Sequence, residues 1–164
     1  MKKSTTLRLA FAGVFTALIF LITYFIQVPA PIAGNINLGD AIILIAALWI
    51  GYDAVIPAAL GSALSDLISG YAIYAPATFI IKALMALLAV FIITHIKIKM
   101  PARIIAFCAA EIVMIAGYFC YDLIMIGTFG AIGDVATNAI QAVGGIVVAF
   151  VLSMIPNPME KLLK

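Results

Sequence analysis

The chain has 164 residues, of which 66% are apolar and 10% are charged, with a net charge of +2 and a mean hydropathy of +1.28. A soluble domain carries roughly 25% charged residues, so this composition excludes a water-soluble globule and predicts an integral membrane protein. The small net charge gives no reason to expect a nucleic-acid partner.

Six apolar stretches follow one another along the chain, and each predicts a membrane-spanning helix. A helix that crosses the hydrocarbon core needs about 20 apolar residues, so the length leaves room for at most about seven helices and no separate soluble domain. We therefore predict one all-α transmembrane domain over residues 1–164. The stretches are Arg8–Gln27, Asp40–Gly51, Ala54–Ser69, Thr78–His95, Ala102–Gly127 and Val135–Ile155.

The second and third stretches are short, and fusing them from Asp40 to Ser69 would give five spans. With five spans the basic cluster Lys97–Arg103 would face outward, against the preference of basic residues for the cytoplasmic side. Gly51 and Pro57 also supply turn and helix-start chemistry between the two stretches. We predict six spans with both termini in the cytoplasm. The basic residues on that side are then Lys2, Lys3, Arg8, Lys97, Lys99, Arg103, Lys161 and Lys164.

The predicted outer loops are Val28–Gly39, Gly70–Ala77 and Thr128–Asp134. The first is the longest and is rich in proline, glycine and asparagine. Irregular backbone at membrane depth must be buried in protein or line a water-filled cavity. The first loop is therefore predicted to cover a pocket.

Lys82 is the ninth basic residue and stands alone inside an apolar stretch. A charge at the bilayer centre costs about 2.5–3.5 kcal/mol on insertion scales, so it normally has a partner or lines a site. One interpretation is that Lys82 extends to the outer headgroups. We favour the other, in which it lines a pocket or pairs with a carboxylate.

Further polar residues collect in the outer half of the predicted bundle. Glu111, Tyr118 and Asp122 share one face of the fifth helix, and Asn138 and Gln141 share one face of the sixth. Asp40 and Asp66 lie at the same level, where a helix-capping role explains them equally well. An outward-facing small-molecule pocket is predicted. Its candidate residues are Asn35, Asn37, Tyr74, Lys82, Tyr118, Asp122, Asn138 and Gln141, with Tyr71 nearby.

The first helix carries a stripe of small residues, Ala10, Gly13 and Ala17. Small residues at this spacing allow close contact between helices. The pattern alone favours packing within the chain over a partner interface.

Motifs for chemistry are missing from the sequence. It contains no G-x-x-x-x-G-K-[ST] phosphate loop, no H-E-x-x-H and no G-x-S-x-G, and its single histidine, His95, has no second metal ligand nearby. We predict neither ATP hydrolysis nor enzymatic activity, and no metal or cofactor.

Two runs of residues resemble a known family. They are Asn35-Ile-Asn-Leu-Gly-Asp-Ala-Ile and Tyr74-Ala-Pro-Ala-Thr-Phe-Ile-Ile-Lys82. The segment Asn35–Lys82 is similar to the substrate-binding S components of energy-coupling factor (ECF) vitamin importers. The resemblance implies a high-affinity vitamin receptor in a prokaryotic cell membrane, working with a transmembrane coupling subunit and two cytoplasmic ATPases. It also implies that Ala10, Gly13 and Ala17 meet the coupling subunit.

The candidate pocket limits the substrate. One lysine is too little for a polyanion, whereas tyrosines suit a flat heterocycle and amides suit hydroxyl and ring-nitrogen groups. Among vitamins carried by similar proteins, pyridoxine or the hydroxymethylpyrimidine precursor of thiamine fits best. Riboflavin and biotin remain alternatives, as does a stand-alone facilitator, which would carry polar residues along a whole transmembrane path.

Overall fold

A computed structural model describes residues 3–30, 32 and 35–157, in which six α-helices and one short β-hairpin follow one another. Lys2, Lys161 and Lys164 lie outside the described residues. The elements are α1 (Lys3–Phe25), β1 (Gln27–Pro29), β2 (Asn35–Asn37), α2 (Gly39–Ile50), a 3₁₀ turn (Gly51–Ala54), α3 (Val55–Ile68), α4 (Ala75–His95), α5 (Lys99–Met125) and α6 (Gly127–Leu152).

The chain reverses direction between α2 and α3. Arg8, near the start of α1, pairs with Asp53 in the 3₁₀ turn at 3.6 Å. Gln27, just after α1, donates to Ser69, just after α3, at 3.3 Å. Because Gly39 at the start of α2 abuts Thr23 near the end of α1, both α2 and α3 lie along α1, in opposite directions.

The reversal depends on Gly51, whose φ of 61° lies in the left-handed region that other residues rarely adopt. The two helices have 12 and 14 residues, which gives them lengths of about 18 Å and 21 Å. Within the described residues, five apolar stretches are long enough to cross a membrane, and the continuous segment Gly39–Ile68 is one of them. The chain is thus a multi-pass membrane protein.

α2 lies at the centre of the bundle, where it packs against α1, α4 and α6. Its residues Ala41, Ile43, Leu44 and Ala46 are fully buried. α3 packs between α1 and α4, and α5 packs between α4 and α6. Shielding by neighbouring helices therefore accommodates the short central helix.

Two of the predicted outer loops differ from the structure. The predicted loop Thr128–Asp134 is wrong, because α5 ends at Met125 and α6 already begins at Gly127. Gly127 makes this sharp turn at φ 76°, and Gly130 and Gly133 lie inside α6. The first loop contains an antiparallel hairpin, in which Gln27 is opposite Asn37 and Pro29 is opposite Asn35. Strands of three residues are too short to show an alternating pattern.

Candidate functional site

Polar side chains surround a cavity at one end of the bundle, where α1 and α3 end and α4 begins; we call this the cavity end. Both strands of the hairpin and every helix except α2 contribute to its walls. The cavity volume is about 50 Å³, room for a few water molecules. A ring-shaped ligand therefore requires these walls to move apart. The lining residues are Thr23, Gln27, Asn35, Asn37, Asp66, Tyr71, Tyr74, Thr78, Tyr118, Asp134, Thr137, Asn138 and Gln141.

Most of the residues predicted for a pocket lie around this cavity. Tyr74 immediately precedes α4, Tyr118 comes from α5, and the others are amides from the hairpin and α6. Asn37 and Gln141 are 104 residues apart in sequence, so the fold brings these side chains together. The six predicted residues in the wall are Asn35, Asn37, Tyr74, Tyr118, Asn138 and Gln141.

Lys82 lies behind the wall and does not line the cavity. Its ammonium group pairs with the Asp40 carboxylate at 2.5 Å, and the two side chains are 4% and 1% exposed. Extension to the headgroups is therefore the wrong interpretation, and pairing with a carboxylate is the right one. Lys82 also lies 5.4 Å from the centre of the Tyr118 ring, which does line the cavity.

Asp122 also lies behind the wall. It is fully buried, and its carboxylate accepts a hydrogen bond from the Tyr74 hydroxyl at 3.0 Å. Burial first, and this hydrogen bond second, raise the pKa of Tyr74 above its ordinary value of 10, so the phenol stays protonated as the donor. The Tyr74 ring packs edge-on against Tyr121, whose hydroxyl donates to the Ile73 carbonyl. Asp122 therefore orients a tyrosine of the wall.

Several lining residues were missed by the sequence analysis, and the omission of Asp134 follows from the error at the start of α6. Asp134, Thr137, Asn138 and Gln141 occupy positions i, i+3, i+4 and i+7, which share one face of a helix. Asn138 donates to Asp134 at 2.8 Å. A helix start at Gly127 would have placed Asp134 on the same face as Asn138 and Gln141, whereas Thr137 already lay in the predicted helix and shares that face.

A second hydrogen-bonded group links α3, α4 and α5. The Thr78 hydroxyl donates to Asp66 and lies 2.9 Å from the Tyr118 hydroxyl. Asp66 therefore supports the wall and does not cap α3. Thr78 lies one turn from both Tyr74 and Lys82, so the same helix face carries all three residues. That spacing could have identified Thr78 as a pocket residue from the sequence.

Glu111 shares a face of α5 with Tyr118 and Asp122, as predicted, but it lies deeper than the cavity. It is 1% exposed, and neither carboxyl oxygen has a hydrogen-bond partner among the described residues. Gly145 of α6 leaves the space for this carboxyl group, because a β-carbon there would lie 2.8 Å from it. Glu111 is therefore a buried polar group outside the wall.

The small residues of α1 face away from the bundle. Ala10, Gly13 and Ala17 are all exposed, and nothing lies within 4 Å of the position of a β-carbon at Gly13. Packing within the chain, which the pattern alone favoured, is therefore wrong for this stripe. The stripe is available to lipid or to a partner helix.

Polar groups that face a cavity inside a bundle of apolar helices are typical of one class of protein, membrane proteins that bind small molecules. A sequence model of the ECF-type riboflavin transporter S component family matches residues 3–157, nearly the whole chain. The chain belongs to this family of vitamin-transporter subunits. A comparison with curated proteins finds no matching relative.

Proposed function

We propose that the chain is the membrane-embedded substrate-binding subunit of an ECF importer. The observation that carries the proposal is the polar cavity in a chain that belongs to an S component family. The sequence contains no phosphate loop, so in this proposal ATP hydrolysis belongs to partner subunits. We propose a transmembrane coupling subunit and two cytoplasmic ATPases as those partners.

We also propose six membrane crossings, with both termini in the cytoplasm and the cavity end facing outward. The antiparallel course of α2 and α3 supports the count. Arg8, Lys99 and Arg103 lie at the end of the bundle opposite the cavity, which supports the orientation. A cysteine introduced at Lys99 should react only with reagents added from the cytoplasmic side. Labelling from outside would overturn the orientation.

Riboflavin is the first candidate substrate, and the family match supports it. Tyr71, Tyr74 and Tyr118 provide aromatic surface for a flat ring system, with stacking worth about 0.5–1.5 kcal/mol beyond area burial. The amides, hydroxyls and carboxylates of the wall suit the hydroxyl groups of a sugar-alcohol chain. Pyridoxine and hydroxymethylpyrimidine are the second candidates, because the cavity in this conformation is small.

The charges of the cavity wall favour a neutral ligand over a phosphorylated one. Asp66 and Asp134 line the cavity, and no lysine or arginine of the described chain does. Lys82 is neutralised by Asp40 behind the wall. A phosphate would meet no cationic partner, so flavin mononucleotide should bind more weakly than riboflavin. The lone carboxylate of biotin lacks a partner for the same reason.

Titration of the purified protein tests the substrate. Riboflavin, flavin mononucleotide, pyridoxine, hydroxymethylpyrimidine and biotin should be compared by calorimetry under identical conditions. We expect tight binding of riboflavin and weaker binding of its phosphate. Tight binding of pyridoxine or hydroxymethylpyrimidine without riboflavin would favour the second candidates. No binding by any of these ligands would contradict a vitamin receptor of this type.

The exposed stripe Ala10, Gly13 and Ala17 is the proposed contact with the coupling subunit. Replacing Gly13 or Ala17 by leucine should abolish uptake while the isolated protein still binds substrate, because overpacking a close contact costs about 1–3 kcal/mol. Cys108→Leu is the control, since Cys108 is a small exposed residue on α5. Loss of substrate binding in the isolated Gly13→Leu protein would contradict a role confined to the partner.

A further inference from the structure

The Asp40–Lys82 ion pair is linked to the cavity wall by a hydrogen bond from Gln141 to Asp40, and Lys82 also lies over the ring of Tyr118. One oxygen of Asp40 pairs with Lys82, and the other accepts a hydrogen bond from the Gln141 side-chain nitrogen at 2.6 Å. Gln141 lines the cavity, whereas Asp40 and Lys82 do not. The pair can therefore influence the wall through the orientation of Gln141.

The Gln141 amide has only one orientation that satisfies these neighbours. An ionised carboxylate only accepts hydrogen bonds, so Asp40 requires the NH₂ group of Gln141 to point toward it. The Gln141 oxygen must then point the other way, toward the hairpin. The buried ion pair thus determines which end of the amide faces β2.

Contacts from Asn37 to this oxygen attach β2 to α6, and we call these contacts the anchor. The Asn37 backbone N–H donates to Gln141 Oε1 at 2.9 Å, and the Asn37 side-chain nitrogen lies 3.3 Å from the same atom. Asn37 Oδ1 in turn accepts from the Gly39 N–H at 3.0 Å. A flipped Gln141 amide would present NH₂ to the Asn37 N–H, so two donors would face each other and the anchor would be lost.

We propose that Asp40 and Lys82 are positioning residues that hold the hairpin against the cavity by fixing the orientation of Gln141. The anchor has to loosen before the walls can separate around a ligand, so the ion pair controls how readily the cavity opens. The identity of the ligand rests on the proposed function, but the anchoring contacts do not. The contrasting assignment is that Lys82 binds the substrate directly, beside the Tyr118 ring.

The variant Asp40→Asn, together with a double variant, distinguishes the positioning role from direct binding of the substrate by Lys82. The introduced asparagine would turn its oxygen to Lys82 and its NH₂ group to Gln141, which forces the Gln141 amide to flip. In the double variant Asp40→Asn/Lys82→Gln, the introduced glutamine can accept a hydrogen bond from the NH₂ group of the introduced asparagine. The asparagine oxygen is then again available to Gln141. The double variant therefore restores the anchor without any charge at either position.

Hydrogen exchange at the Asn37 amide in the full-length, ligand-free protein measures the anchor. We expect Asp40→Asn and Gln141→Leu each to raise this rate about tenfold, the change that loss of one buried hydrogen bond predicts. Combining them should add nothing, and the double variant Asp40→Asn/Lys82→Gln should return close to the wild-type rate. The 3₁₀ turn Gly51–Ala54 is the internal control. An unchanged Asn37 rate in Asp40→Asn, or additive effects, would overturn the proposal.

The riboflavin dissociation rate, followed by flavin fluorescence, provides the second measurement. Asp40→Asn should accelerate dissociation, and Asp40→Asn/Lys82→Gln should reverse most of that change. A double variant that stays as fast as Asp40→Asn, with Asn37 exchange restored, would show that Lys82 contacts the substrate and would overturn the positioning role. If wild-type protein binds no riboflavin, the proposed substrate fails, while hydrogen exchange still decides the role of the ion pair.

Discussion

Two ion pairs connect helices at opposite ends of the bundle, and their surroundings differ sharply. Lys82 and Asp40, at the cavity end, are almost completely buried, with side-chain exposures of 4% and 1%. Arg8 and Asp53, at the opposite end, have side-chain exposures of 60% and 35% and lie 3.6 Å apart. The first pair belongs to a hydrogen-bonded network that includes Gln141, whereas the second joins α1 to a surface turn.

The difference follows from the cost of burying charge. An isolated charge in an apolar environment is so unfavourable that buried charges are paired or hydrogen-bonded, whereas an exposed charge has water as an alternative partner. The polar groups at the cavity end therefore constrain one another's positions. At the opposite end, Arg8 and Asp53 are exposed and have water as an alternative partner. Burial of the charged pair therefore distinguishes the cavity end from the opposite end.

The largest effect is expected from removing one member of the buried pair. Lys82→Ala leaves Asp40 as an unpaired buried carboxylate, which should lower the free energy of unfolding by about 3–5 kcal/mol. Thermal unfolding of the purified protein in detergent, followed by its intrinsic fluorescence, measures the change. Exposed ion pairs contribute less than about 1 kcal/mol, so a decrease of that size in the free energy of unfolding would contradict the burial of Lys82 and Asp40.

The next effect concerns ligand affinity and tests whether the cavity is the binding site. Asn138→Ala removes an amide of the wall, and Asp122→Ala removes the partner of Tyr74. Loss of a buried polar partner costs about 1–3 kcal/mol, so each variant should bind its ligand roughly 5- to 150-fold more weakly in a calorimetric titration.

Asn157→Ala is the matched control for this effect. Asn157 donates to the Trp49 carbonyl at 3.1 Å, at the end opposite the cavity, so its removal should leave affinity unchanged. Normal binding by both Asn138→Ala and Asp122→Ala would mean that the ligand site lies elsewhere.

The sequence predicted the residue types of the site better than their contacts. Lys82 could be recognised as a residue that needs a partner, because one charge inside an apolar stretch is costly. Its partner could not be identified, because Asp40 lies 42 residues away on another helix. Helical periodicity predicts which residues share a face, but pairing between helices depends on how the bundle packs.

The start of α6 shows how an error in a helix boundary changes the set of residues predicted to line the cavity. The predicted loop covered Thr128–Asp134, but α6 already begins at Gly127. Of the three glycines in this region, Gly127 has a positive φ, whereas Gly130 and Gly133 lie within α6 next to the side chains of Ile126 and Ile32. Moving the helix start from Val135 to Gly127 moved Asp134 from a loop into the cavity wall.

A smaller effect is expected at Glu111, the buried carboxyl group without a hydrogen-bond partner among the described residues. Glu111→Met keeps the side-chain length and removes the unsatisfied oxygens, so it should raise the free energy of unfolding by about 1 kcal/mol. The same thermal unfolding assay measures it, with Met114→Leu in the same buried face of α5 as the control. A destabilised Glu111→Met protein would show that the carboxyl group has a stabilising partner.

The smallest effect is expected at the exposed pair. Arg8→Gln should lower the free energy of unfolding by about 0–1 kcal/mol, because water can replace Arg8 as a partner for the exposed Asp53 carboxylate. Added salt screens exposed charges more than buried ones, so the difference between wild-type and Arg8→Gln should shrink in 1 M salt, where the Debye length is about 3 Å. The effect of Lys82→Ala should persist under the same conditions. Equal salt dependence for both pairs would mean that water and ions reach Lys82 and Asp40, and that the two ends of the bundle do not differ in the way their exposures indicate.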